Sequence, residues 1–172
     1  MKTGALLVAW LSLGSGRGDA PAVPDSELTP VFVVDKSHNR NQVVYGLALD
    51  RDCAFRTETP VQVFWQMRER GEGQREGVLD SERPYIGLGP QTIVERRSDG
   101  GTVVVAILAL PNRPLTFTAR RVGRRCEAVA TMAIHGREAR LQHVFAKVWL
   151  LGVVSVTLEG RANGDAVIEK LR

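Results

Sequence analysis

AVATMAIHGREARLQHVFAKV, residues Ala128–Val148, decides the fold. Two runs rich in apolar residues, Ala128–Ile134 and Glu138–Val148, stand either side of His135-Gly136-Arg137. Glycine supplies a positive φ at no steric cost, so the three central residues predict a tight turn and the flanks predict a β-hairpin.

The same grammar extends in both directions. Val153–Leu158 and Ala166–Leu171 flank Asn163-Gly164, the strongest short hairpin signal. Arg120 to Arg125 reads as another tight turn, densely charged. Thr102–Leu110 (TVVVAILAL) is continuously apolar, as in a strand covered on both faces. Pro60–Met67 (PVQVFWQM) alternates, with Val61, Val63 and Trp65 or Met67 on one face. Val31–Val34, Gln42–Leu49 and Leu115–Arg121 are further short apolar segments. Val148–Leu158 (VWLLGVVSVTL) is too short to span a bilayer and reads as buried strands. No helical period is sustained for long. Arg75–Arg83 could hold one short helix. The expected class is therefore mainly β: an antiparallel β-sandwich or small β-barrel of about eight to ten short strands, with at most one short helix.

The N-terminus predicts export. A positive start at Met1-Lys2 precedes the apolar run Gly4–Leu13, and Ala20-Pro21-Ala22 has the small-x-small form read by signal peptidases. Residues 1–22 are read as a leader cleaved after Ala22, 23–30 as a polar lead-in, and 31–172 as one domain. The expected location is periplasmic or secreted, with no transmembrane span in the mature chain. Of 23 basic residues only Lys2, Lys36, Lys147 and Lys170 are lysines. Arginine grips planar anions with two donors, but a codon bias accounts for the count equally simply. Arg120, Arg121, Arg124 and Arg125 are the densest group. They form either a solvated turn or a contact with an anionic envelope surface, and no nucleic-acid partner is expected. Two cysteines, Cys53 and Cys126, permit one disulfide in an oxidising compartment or stand as two buried thiols.

The most distinctive stretch is Asp35–Tyr45 (DKSHNRNQVVY), which crowds hydrogen-bonding side chains between two apolar segments. Asn, Ser and Asp commonly stabilise turns through their own backbone. In an extended chain, however, Ser37, Asn39, Asn41 and Tyr45 share a face that could hold a polar ligand. Trp65 and Arg68 supply either a core tryptophan with a rim arginine or the wall and anion grip of a pocket mouth.

Ser37-x-Asn39-x-Asn41-x-Val43-x-Tyr45, then Pro60-Val61-x-Val63-x-Trp65 and Tyr85-x-Gly87, resembles an uncharacterised bacterial family described as a domain of unknown function. Ile134–Ala139 and Val144–Val148 fit its later half. The resemblance covers most of the chain from Val31. It implies an exported domain and carries over no catalytic residue. The chain departs from the pattern at Pro84, where a small residue is expected.

Several chemistries lack their residues. No zinc or redox cysteine pair, HExxH, nucleophile elbow or phosphate loop is present, so neither metal nor cofactor is expected. The expected function is a non-catalytic binding or envelope-associated module for a lipid-like or glycan ligand. Its candidate contacts are Ser37, Asn39, Asn41 and Tyr45, with Trp65, Arg68 and Tyr85. Two alternatives stay open. One is a structural or protein-interaction component of the envelope. The other is a hydrolase in which a carboxylate such as Asp35 or Glu82 meets His38 or His143.

Overall fold

Three two-residue turns organise the second half of the chain. His135-Gly136 and Asn163-Gly164 place both central residues at positive φ, the type I′ pattern whose twist matches that of flanking strands. At the third turn Gly123 leads with a positive φ.

The structure, a computed structural model, describes residues 28–69, 74–79, 88–107, 110–149 and 152–171. The leader, most of the lead-in, Glu82 and Tyr85 lie outside these residues. The described chain is all β: β1 (Leu28–Lys36), β2 (Gln42–Ala48), β3 (Val61–Met67), β4 (Gln74–Gly77), β5 (Leu88–Arg97), β6 (Gly100–Ile107), β7 (Leu110–Val122), β8 (Arg125–Ile134), β9 (Arg137–Trp149), β10 (Gly152–Ala162) and β11 (Asp165–Leu171).

The count exceeds the expected eight to ten for identifiable reasons. Gln74–Gly77, which overlaps the start of the segment expected to be helical, instead pairs with the end of β3 as a short edge strand. Leu88–Arg97 is also a strand, hidden in sequence by Gly89, Pro90 and its charged end, and it too lies at an edge. β1 begins at Leu28, inside the stretch read as lead-in.

All strands join one sheet, ordered β4-β3-β2-β1-β9-β8-β7-β6-β5, curled into a half-barrel. β9 is its branch point. One edge pairs first with β8, at Arg137–Arg140, and then in parallel with β1, at His143–Ala146. Among the described residues this is the single parallel pairing in an otherwise antiparallel sheet. The other edge of β9 carries β10, which pairs in turn with β11. Between the two partners of the first edge, Gln142 is an extra residue against β10. Such a bulge bends the strand and increases its twist.

The curl brings the sheet's far ends together. The Gln91 side chain on β5 accepts from Val61 N (3.0 Å) and donates to Val61 O (2.7 Å) on β3. An amide side chain thus takes the place of a ladder neighbour where, among the described residues, no strand pairing closes the gap.

Alternation along β2 separates two apolar layers. Val43, Tyr45 and Leu47 face the main core, while Val44 and Ala48 join a smaller cluster with Leu28 and Phe64 on the opposite, outer face. In the main core Phe32 stacks on Tyr45 at 4.4 Å between ring centroids, and Phe117 lies 6.1 Å from Phe32. Cys53, in the β2–β3 connection, is bonded to Cys126 on β8.

One ion pair ties the last strand down. The Arg113 guanidinium grips both Glu169 oxygens, at 2.6 and 2.7 Å, and the same carboxylate accepts from His135 N at 2.7 Å. These bonds hold the Glu169 carboxyl at about 2, against an ordinary 4.5, with Arg113 the larger cause. A depressed carboxyl stabilises the fold above its unfolded value and loses that contribution as pH falls through the folded one. Urea midpoints should therefore drop between pH 4.5 and 2, and Glu169→Gln should flatten part of that slope. At neutral pH Glu169→Ala should cost roughly 1.5–3 kcal/mol, the range for hydrogen bonds to charged groups. A variant with the wild-type acid profile would show that the pair does not support the fold.

Candidate functional site

Asp35 lies at the C-terminal end of β1, and its neighbour across the parallel pairing is β9. Val33 is in register with His143, so two residues on, Asp35 reaches the imidazole from the same face. His143 in turn is in register with Glu159 on β10.

The result is a row of side chains across the outer face. Glu159 Oε2 lies 3.2 Å from His143 Nδ1, and Asp35 Oδ2 lies 2.7 Å from His143 Nε2. Asp35 Oδ1 accepts from Gln42 Nε2 at 2.8 Å, and Gln42 Oε1 accepts from Arg68 Nε at 2.7 Å. Four strands and the residue just beyond β3 contribute. The side chains of His143, Asp35 and Glu159 are 28%, 35% and 43% exposed, so the row is partly open to solvent.

The other expected contacts divide by what they bond. Ser37 Oγ accepts from Val148 N (2.8 Å) and donates to Val148 O (3.1 Å), extending the β1–β9 contact past the last strand residue. Asn39 Oδ1 accepts from Asn41 N, while Asn41 Oδ1 accepts from Arg68 N and Glu69 N and fixes the exit from β3. The stretch is thus brought next to Arg68 by turn chemistry. Tyr45 points into the main core, where burial pushes its phenol well above the ordinary value. Trp65 packs at the rim of that core with Lys36 Nζ 4.4 Å from its ring centroid, a cation–π contact. Tyr85 lies outside the described residues.

Sequence reading offers Asp35 against His143 as one option for a hydrolase, joins Gln42 to neither and passes over Glu159. Alternation assigns each to a face, but no local signal says that β10 lies beside β9 in this register.

The arginine group has partners of its own. Arg120 bonds Glu127 at 2.6 Å, and Arg121 reaches Asp52 and Arg51 O, pinning the loop that carries Cys53. Arg124 and Arg125 lie exposed at the turn.

Fold and row together define an all-β, single-sheet chain whose outer face carries a polar row beside a small apolar cluster and whose interior is filled. The chain belongs to the family described as a domain of unknown function (DUF4833), which matches residues 32–170. No curated protein and no solved structure matches it.

Proposed function

We propose that this protein is an exported, non-catalytic binding module of the cell envelope. Its ligand is a glycan, held against the outer face by the row from Glu159 to Arg68. The observation that carries this reading is the row itself: five side chains hydrogen-bonded end to end and still half open to solvent. Sugar hydroxyls both donate and accept. Carboxylates, an amide and a guanidinium on one sheet face match that need with planar, partly pre-oriented groups. The alternative, lipid-like ligand is less well served, because the inside of the curl is occupied by Phe32, Tyr45 and Phe117.

Co-sedimentation with peptidoglycan sacculi tests the proposal, with calorimetry on soluble fragments of the same glycan. Gln42→Ala and His143→Ala should each weaken binding about tenfold, equivalent to about 1.4 kcal/mol, with thermal transitions near that of the wild type. Equal binding by wild type and variants would end the proposal, as would no binding by any of them.

A hydrolase is the second reading, favoured by the 2.7 Å approach of Asp35 to His143. It predicts new reducing ends in the same sacculi, lost in His143→Ala. A structural role in the envelope predicts neither result.

A further inference from the structure

In the segment Val148–Leu158, which reads as buried in sequence, three of the described side chains are open. Trp149, Val153 and Val154 are 60%, 56% and 53% exposed at the end of the β9–β10 hairpin. Register explains the two valines. Val153 pairs with Val148 and Ser155 with Lys147, which leaves Val154 as an extra residue. A bulge re-aims side chains, and here two consecutive valines both meet solvent.

The tip is also braced. Ser37 Oγ bonds both backbone groups of Val148, His38 Nε2 lies 2.9 Å from Val148 O, and the His38 ring sits 6.3 Å from that of Trp149. The β1–β2 turn therefore holds the apolar end in a fixed position.

The charge around it is mostly positive, with Glu69 the acid beside it, its Oε1 accepting from Arg40 N at 3.0 Å. Residues 36–41, 146–149 and 152–155 contain Lys36, Arg40 and Lys147 and no Asp or Glu. Lys147 is exposed, two residues before Trp149 and so on the same face of β9. By contrast, the turns at Gly123-Arg124, His135-Gly136 and Asn163-Gly164 are polar or charged at their centres.

We propose that this tip docks the protein on an anionic lipid bilayer. Trp149, Val153 and Val154 enter the interface, and Lys147 and Arg40 lie among the head groups. Tryptophan favours that boundary, where its ring is in apolar surroundings and its N–H in a wet one. Each base near an anionic surface adds about fivefold to partitioning at physiological salt. A second copy of the chain is a poorer occupant, because a two-fold contact would set each cation against its own likeness. The proposal is independent of the glycan site, which uses none of these side chains.

The test uses the full chain with two kinds of vesicle, phosphatidylcholine alone and phosphatidylcholine mixed with phosphatidylglycerol, each carrying a trace of nitroxide-labelled lipid. Wild-type protein should bind the mixed vesicles, and the lipid should quench an emission component that Trp149→Phe removes. Val153→Ser with Val154→Ser should weaken binding tenfold or more without shifting the thermal transition, and high salt should weaken it too. Binding without quenching of Trp149 would overturn the proposal, since another part of the chain would then be responsible. So would equal binding by the valine variant, no binding at all, or a tip-dependent dimer in sedimentation equilibrium.

Discussion

Replacing Cys53 and Cys126 together with alanine should lower unfolding free energy by about 4 kcal/mol, the chain-entropy value for a closed loop of this length. The two residues are 73 apart in sequence, and the bond joins the β2–β3 connection to β8, on opposite sides of the branch at β9. Without it, the Cys53 loop is held to β8's neighbourhood chiefly by Arg121, through its bonds to Asp52 and Arg51 O, and by contacts around Phe55. Alanine at position 53 also removes a buried sulfur, so reduction of the wild-type protein is the cleaner arm: it opens the bond and leaves both sulfurs in place. Guanidinium unfolding with and without reductant should show most of the loss in both forms. A change under about 1 kcal/mol on reduction would mean that the bond does not constrain the unfolded chain as the entropy model supposes. Thiol counting on unreduced protein checks the bond itself, which an oxidising compartment favours.

Phe117→Ala should cost about 3–5 kcal/mol, the range for removing a buried phenylalanine when its surroundings collapse only partly. Phe117 is fully buried on β7, against Phe32, whose other neighbour is Tyr45. The experiment also bears on function. A curled sheet whose interior stored a ligand would tolerate, or even gain from, a smaller side chain facing that space. A filled core must lose stability. Denaturant midpoints of wild type and variant decide between the two, and a loss below about 1 kcal/mol would return an interior ligand to consideration.

Much of the fold is legible residue by residue. Gly136 and Gly164 mark turns because a positive φ is demanded there, and the strands around them follow from a two-residue apolar period. β4 and β5 were hidden for the opposite reason: edge strands bury little, so their sequences carry charge, glycine and proline without penalty. Ser37, Asn39 and Asn41 could be recognised as turn-forming types, yet which backbone groups they bond depends on Val148 and Arg68, far along the chain. Val153 and Val154 show the same limit. Their β-branched side chains forecast a strand correctly, but a bulge in the pairing with β9 decided that both face water.

On its own, then, the amino-acid order determined the β character, the hairpin turns and the presence of exactly one possible cysteine pair, because steric limits on φ and the alternation of side chains act within a few residues. Tertiary structure alone decided that β9 serves three neighbours, that β1 runs parallel to it, and that Asp35, His143 and Glu159 meet. Those outcomes depend on which strand edges find each other, and that choice is made by burial of apolar surface from the whole chain at once.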